Sequence, residues 1–268
     1  MAVAGSGHLM LKKLNYYWRI LATGISFFTF GLGGLLLRIL VFPLLNILIP
    51  NRQFRTIIAR HVIRFSFRGF IGLMRLLGVL CYDIRGLERL NRKGLLILAN
   101  HPTLIDTVFL MAFVEQADCI VKQALWNNPF THGPVRAAGY ICNDNGPGLL
   151  EDCIISLRNG SNLIIFPEGT RTPRNGRITF KRGAAHVAVR ARQKVTPVVI
   201  HCTPSTLSKG EKWWQVPPSI ARFTIEVQND IEVQAFLAGT GSEILAARQL
   251  THYLQDYFTK ENQRHAAT

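Results

Sequence analysis

Long uncharged segments fill the N-terminal third of the chain. Residues 20–37 contain no charged side chain, and after Arg38 a second apolar run extends over residues 39–50. A spanning helix needs about 20 apolar residues, so the first run alone is close to the lower limit. Gly33 and Gly34 lie near the middle of the whole stretch. They predict a helical hairpin that turns there and either enters one leaflet or spans the bilayer and returns.

Basic residues flank this stretch on both sides. Lys12, Lys13 and Arg19 lie in and before its start, and Arg52, Arg55, Arg60 and Arg64 follow it. Because positively charged flanks tend to stay on the cytoplasmic side, both ends are expected there. A secretory signal peptide is the alternative interpretation. Against it, the apolar run begins late, lacks a clear small-x-small cleavage site and is followed by a second run.

Residues 54–80 show helical periodicity with a basic face. Arg60, Arg64, Arg68 and Arg75 fall within about 80° on a helical wheel. Two interpretations are open: the helix lies on an anionic leaflet, or the arginines form the solvated face of an ordinary helix. The neighbouring apolar runs favour the leaflet.

From Arg85 onward, short apolar runs alternate with helical patterns. Strands are predicted at 95–99, 119–121, 140–142, 162–166, 197–200 and 222–227, and helices at 102–114, 149–157, 183–192 and from Ser242. This alternation predicts an α/β fold, a mixed sheet flanked by helices, behind an N-terminal helical membrane-associated segment. We therefore expect a membrane-anchoring helical region over residues 1–82 and an α/β domain over residues 83–268.

Composition agrees with a membrane-associated protein. Of 268 residues, 48% are hydrophobic, and 31 Lys and Arg against 16 Asp and Glu give a net charge of +15. Such basicity suits nucleic acid, an anionic membrane or an acidic partner, and the apolar excess favours the membrane. No RRM, zinc or helix-turn-helix signature supports nucleic acid, which is not expected as a partner. The five cysteines form no CxxC motif and are interpreted as buried, reduced thiols, with a nucleophilic cysteine as the lesser alternative.

The first polar cluster follows the strand predicted at 95–99. It reads Asn-His-Pro-Thr-Leu-Ile-Asp over residues 100–106. A histidine such as His101 can accept a proton from a hydroxyl at working pH, and a carboxylate such as Asp106 can fix its tautomer. The pair alone is weak evidence, because a histidine that caps a helix beside a solvated aspartate gives the same pattern.

The second polar cluster follows the strand predicted at 162–166. Here Glu168, Gly169, Thr170 and Arg171 place a flexible glycine between a carboxylate and a guanidinium, which can hold a phosphate with its planar fork. Ligands of α/β sheets bind beyond the carboxyl ends of the strands, so parallel strands would place both clusters on one edge. Taken alone, the second cluster also fits a surface turn with an ion pair.

Together the clusters resemble the lysophospholipid (1-acylglycerol-3-phosphate) acyltransferase family. The family's His-x4-Asp motif is matched by His101 and Asp106, and its Phe-Pro-Glu-Gly-Thr-Arg block by residues 166–171. A Phe-Lys-x-Gly element, a Lys-x-x-Leu element and a later apolar segment with a proline also match in order. These elements are matched by Phe180, Lys181 and Gly183, by Lys122 and Leu125, and by residues 195–200 with Pro197.

One family element departs from the pattern. The second motif usually ends in an arginine associated with the glycerol phosphate, and here that position is Asn145, beside Asp144. Arg136 or Arg174 are candidate replacements. The departure leaves two acceptors open: a lysophospholipid such as 1-acylglycerol-3-phosphate, or a phosphate-free specialised lipid.

The resemblance implies an acyltransferase, and the basic flanks of the apolar stretch predict the cytoplasmic face of the inner or plasma membrane as its location. The resemblance further implies acyl transfer from an acyl thioester, acyl-CoA or acyl carrier protein, with His101 as general base and Asp106 as its orienting partner. Glu168, Gly169, Thr170, Arg171 and Lys122 are then expected to bind substrate, with membrane lipids as partners and no metal. Two rivals remain: a hydrolase, although no Gly-x-Ser-x-Gly elbow is present, and a membrane-associated basic protein without enzyme activity.

Overall fold

A seven-stranded mixed sheet forms the centre of the α/β part of the chain. The computed structural model describes residues 3–128, 131–144, 146–173 and 176–266. Across the sheet the order is β1-β7-β6-β2-β5-β3-β4, and every neighbouring pair is parallel except the antiparallel pair β6 and β7. The strands are β1 (Leu80–Arg85), β2 (Leu96–Ala99), β3 (Ala117–Val121), β4 (Ile141–Cys142), β5 (Asn162–Ile165), β6 (Val195–Thr203) and β7 (Ala221–Val227).

Helices cover both faces of this sheet, as predicted. The α-helices are α1 (Val3–Leu36), α2 (Phe42–Leu48), α3 (Arg52–Leu76), α4 (Asp106–Phe113), α5 (Gln123–Asn127), α6 (His132–Ala137), α7 (Leu149–Arg158), α8 (Gly183–Ala191), α9 (Gln234–Thr240) and α10 (Glu243–Ala266). Side chains of β2 alternate between two cores. Ile97 joins the core of α3 and α4, whereas Leu98 joins the core of α7, α8 and α10.

The predicted strands are all present, with bounds that shift by up to three residues, and two helices depart further from the sequence pattern. The helix predicted to begin at Pro102 begins at Asp106, because the Asp106 carboxylate binds back to Thr103 and holds the preceding residues in a loop. The helix predicted to reach residue 80 ends at Leu76, and the chain then enters β1. That strand crosses position 82, and the division into regions 1–82 and 83–268 stays a prediction.

The predicted turn near Gly33 and Gly34 is wrong. Helix α1 runs through both glycines, a π-helical turn follows at Leu37–Val41, and α2 continues the rod. The chain reverses at residues 49–51 instead. Ile49 precedes a proline and adopts extended backbone, and the Asn51 side chain then caps α3 by accepting from the Phe54 N–H at 3.0 Å.

Helix α3 packs back along α1, so the N-terminal region is a helical hairpin with a later turn. Phe30 of α1 lies 4.9 Å from Phe70 of α3 between ring centroids, and the Trp18 indole donates to the Leu77 carbonyl at 3.0 Å. The other face of α1 and α2 is exposed and apolar. Residues 10–48 form a helix long and apolar enough to cross a membrane, with 11% of its most apolar part buried.

The arginine row of α3 packs on the α/β domain at Arg60 and Arg64, where both sequence interpretations are wrong, whereas Arg68 and Arg75 remain exposed. Arg60 is buried and donates to Asp118, Ser161 and the Ala138 carbonyl. Arg64 and Arg68 donate to carbonyls at the end of α4, where the helix dipole favours cations, and the Arg75 guanidinium lies over the Tyr82 ring. The arginines therefore dock the hairpin on the sheet domain and leave its apolar side outside.

The buried pair of Arg60 and Asp118 generates a stability prediction. Asp118→Ala should lower the free energy of unfolding by about 3–5 kcal/mol, because the Arg60 charge and the Ser156 hydroxyl would stay buried without their partner. Chemical denaturation in a mild detergent measures this. Asp83→Ala, which breaks the exposed pair with Arg85, is the control and should leave unfolding unchanged. Equal effects of both variants would contradict the docking role.

Candidate functional site

Both predicted polar clusters lie at the same edge of the sheet. Strands β2 and β5 are parallel neighbours, with Leu98 opposite Ile165. The residues that follow each strand therefore leave the sheet side by side at its carboxyl edge. The structure brings His101 and Glu168 into direct contact there.

His101 and Asp106 form a hydrogen-bonded pair. Nδ1 of His101 lies 2.9 Å from Oδ2 of Asp106, whose side chain is fully buried, while the imidazole is 16% exposed. Oδ2 also accepts from the Thr103 N–H at 2.7 Å, and Oδ1 accepts from the Thr103 hydroxyl. The short loop thus fixes the carboxylate, and the carboxylate fixes the ring.

Glu168 joins the two loops. Its Oε1 accepts from the His101 backbone N–H at 3.0 Å and from the Thr172 hydroxyl at 2.8 Å, and the Thr172 N–H donates to the His101 carbonyl at 2.7 Å. The Phe166 ring stacks on the imidazole, with centroids 4.3 Å apart and planes at 25°. His101 is held on its backbone, its Nδ1 and its ring face.

Burial raises the pKa values of both carboxyl groups of the site. For Asp106 the loss of solvent is the largest cause, and the hydrogen bonds from His101 and Thr103 oppose it. Loss of solvent likewise raises the pKa of Glu168, against the bonds from Thr172 and the His101 backbone. The hydrogen bonds to Asp106 and Glu168 favour the charged forms of both groups. The two loops therefore stabilise these carboxylates in place of the solvent that burial excludes.

The rest of the second cluster lies beside this pair. Gly169 has φ +67°, and a Cβ there would lie 3.0 Å from the Lys181 ammonium, so this turn favours glycine. Thr170 is half-buried. One nitrogen of the Arg171 guanidinium donates to the Leu207 and Ser208 carbonyls at 2.9 and 3.0 Å, which fixes its plane.

Lys122 lies farther along the same edge. It follows β3, which is parallel to β5, and its side chain is exposed at the start of α5. Among the described residues, the structure records no contact of Lys122 with His101, Asp106 or Glu168. Asn145 and Arg174 lie outside the described residues, and the Arg136 guanidinium lies over the Trp126 ring at 5.7 Å.

Sequence reasoning missed three residues that hold the site together. Thr103 stands three residues before Asp106, a spacing typical of a helix capping box, and this signal was available. Asn100 exchanges two hydrogen bonds with the backbone of Ile200, which ties the first loop to β6. Neither Asn100 nor Thr172 carries a sequence signal, since their partners are distant in the chain.

The surroundings of three cysteines disfavour a nucleophilic thiol. Burial raises the pKa of Cys119 far above its usual range, and those of Cys153 and Cys202 to about 12. A thiol with so high a pKa yields little thiolate near neutral pH. In the described part of the chain, no group of three or more His, Cys, Asp or Glu side chains is placed to hold a metal ion.

Known proteins resemble this chain in sequence and in fold. Residues 81–201 match the acyltransferase family model. A 1-acyl-sn-glycerol-3-phosphate acyltransferase of Pseudomonas aeruginosa is 31% identical over 148 residues, covering 52% of this chain and 56% of the relative. One of Helicobacter pylori is 33% identical over 112 residues, covering 39% and 47%. The matches thus span about half the length of these curated relatives.

The fold is shared along almost the whole chain. The crystal structure of the 1-acyl-sn-glycerophosphate acyltransferase PlsC from Thermotoga maritima superposes with a TM-score of 0.69 at 20% identity, covering 94% of this chain and 98% of that one. The matched sequence region contains both polar clusters. Over this region the chain is similar in sequence to 1-acyl-sn-glycerol-3-phosphate acyltransferases, and its fold is that of PlsC.

Proposed function

We propose that this protein transfers a fatty acyl group from an acyl thioester to a hydroxyl of a lysophospholipid such as 1-acylglycerol-3-phosphate. The observation that carries the proposal is the His101–Asp106 pair at 2.9 Å, held by Thr103 at the carboxyl edge of the sheet. The similarity to known acyltransferases over residues 81–201 supports the reaction class. The donor is acyl-CoA or acyl carrier protein.

The geometry suits general-base catalysis. Because Nδ1 of His101 faces the Asp106 carboxylate, the neutral ring carries its proton on Nδ1 and leaves Nε2 as the acceptor. Nε2 takes the proton of the acceptor hydroxyl as its oxygen attacks the thioester carbonyl. The C–S bond then breaks, and the proton passes to the leaving thiolate. Asp106 stabilises the imidazolium between these steps.

The second loop is assigned to the substrates. Arg171 has one nitrogen bound to two carbonyls, which presents the remaining N–H groups in a fixed plane for an anionic oxygen. Glu168, Gly169 and Thr170 shape the turn that carries it. Lys122, exposed on the same edge, is assigned to a more distant anionic group of either substrate.

Substitution of the proposed base is the direct test. His101→Ala should lower turnover by about 10²–10⁴-fold, because the acceptor hydroxyl loses its base. The variant should still fold, since the backbone bonds of residue 101 to Glu168 and Thr172 remain, and thermal unfolding checks this. Acyl transfer by detergent-solubilised protein measures the turnover, with His252→Ala on the exposed face of α10 as the matched control. Near-normal turnover of His101→Ala would remove this residue from the mechanism.

The same assay separates the acceptors. Lysophosphatidate and phosphate-free hydroxylated lipids are offered in parallel, each with acyl-CoA and with acyl carrier protein. Transfer to lysophosphatidate makes Asn145 a tolerated variation, whereas transfer only to a phosphate-free lipid makes it a marker of altered specificity. If no combination of donor and acceptor gives acyl transfer, the alternative of a membrane-associated basic protein without enzyme activity is favoured.

We further propose that the hairpin lies obliquely in one leaflet at the cytoplasmic face. The 39-residue rod is roughly 58 Å long, about twice the thickness of the hydrocarbon core, and most of its exposed side chains are apolar. Basic residues mark both ends, Lys12 and Lys13 at one and Arg52 and Arg55 at the turn.

Thiol labelling tests this placement. In a chain whose half-exposed Cys81, Cys142 and Cys202 are replaced by serine, Lys13→Cys and Gln53→Cys should both react with an impermeant maleimide from the same side of oriented vesicles. The buried Cys119 and Cys153 stay as unreactive background. Labelling of the two positions from opposite sides would contradict the one-leaflet placement.

A further inference from the structure

Four arginines from three separate segments meet in one cavity near the turn of the hairpin. Arg38 comes from the π-helical turn, Arg52 and Arg55 from the start of α3, and Arg136 from α6. The cavity has a volume of about 330 Å³, and His132 also lines it. No residue of the candidate catalytic loops contributes to the lining, so this is a separate feature of the molecule.

The charge in this cavity has one sign. Among the described residues, the lining contains no aspartate or glutamate. Guanidinium groups gathered in this way repel one another, and a bound anion relieves that repulsion. A wider neighbouring groove shares Arg52 and Arg136 and does include Asp144 and Asp152, so the purely cationic lining is confined to the smaller cavity.

Local backbone features bring the arginines together. The π-helical turn at Leu37–Val41 contains Arg38, which separates the two uncharged runs of the rod, and π-turns of this kind are frequent at functional sites. Gly133 permits the approach, since a Cβ there would lie 2.9 Å from Cγ of Arg38. The 25-residue helix α3 also begins at Arg52 and turns its positive N-terminal end to the same place.

The surroundings indicate the kind of anion. Phe42 and Pro43 line the cavity, and farther round the circumference of the same short helix Leu44, Ile47 and Leu48 are exposed apolar side chains. A ligand that places a phosphate among the arginines can therefore lay acyl chains along this apolar surface. Planar guanidinium forks match phosphate oxygens, and an amphiphile satisfies both parts of the site.

We propose that this arginine cavity binds the phosphate of an anionic membrane phospholipid. A bound lipid fixes the hairpin turn to α6 and sets the depth at which the protein sits in the leaflet. This role is independent of the acyl-transfer reaction, because the cavity contains none of the residues assigned to catalysis.

Calorimetric titration of the full chain in nonionic detergent tests the site, with dihexanoyl phosphatidylglycerol as the probe. Arg38→Gln with Arg52→Gln should weaken binding about tenfold or more, since each removes a charge-assisted bond to phosphate. Arg222→Gln with Arg248→Gln removes the same charge from exposed positions of the α/β domain and should bind like the wild type.

Two further titrations complete this test. Arg136→Gln lies outside the hairpin and should also weaken binding, which guards against a hairpin variant that fails to fold. Inorganic phosphate should bind far more weakly than the lipid, because it lacks the apolar part. Equal lipid binding by the wild type, the Arg38/Arg52 double variant and Arg136→Gln would overturn the site, and phosphate binding as tight as that of the lipid would overturn the lipid assignment.

Discussion

The buried carboxylate of Glu168 is the interaction on which the candidate site depends. The two polar loops leave different strands 67 residues apart in the chain, and sheet pairing alone places only their starting points side by side. Glu168 takes the His101 N–H and the Thr172 hydroxyl on one oxygen, and the return bond from the Thr172 N–H to the His101 carbonyl closes the link. His101 can then meet Asp106 in a single geometry, as a preorganised base requires.

The hairpin shows a second constraint, because α3 packs arginines as well as apolar side chains against the α/β domain. Arg60, Arg64 and Arg68 donate to carbonyls and carboxylates of that domain, while many apolar side chains of α1 and α2 are exposed. Burying an arginine such as Arg60 is tolerable because Asp118, Ser161 and a carbonyl satisfy it. The same docking contacts that hold the hairpin also leave its apolar outer surface exposed, as the proposed membrane placement requires.

Sequence patterns predicted the parts of this structure that rest on local periodicity and short motifs. The strands before the two clusters, the mixed sheet and the meeting of His101 with Asp106 follow from apolar runs and spacing. The contacts of the arginine row cannot be predicted from the sequence, because a helical wheel shows which residues share a face and not what that face contacts. The turn predicted at Gly33 and Gly34 is wrong, because helices accept glycine and the Ile49-Pro50 step is the stronger break. The roles of Thr172 and Asn100 could not be predicted from the sequence, because only the sheet brings these residues together with their partners.

The most direct measurement for the central role of Glu168 is the steady-state kinetics of Glu168→Ala, with Glu168→Gln as the variant that keeps an acceptor oxygen. The account predicts that Glu168→Ala lowers kcat by about 10²-fold with the acceptor KM nearly unchanged, because the base is misplaced, and that Glu168→Gln retains more of the activity. An unchanged kcat with a raised acceptor KM in Glu168→Ala would contradict this account. Glu168 would then bind substrate and not position His101.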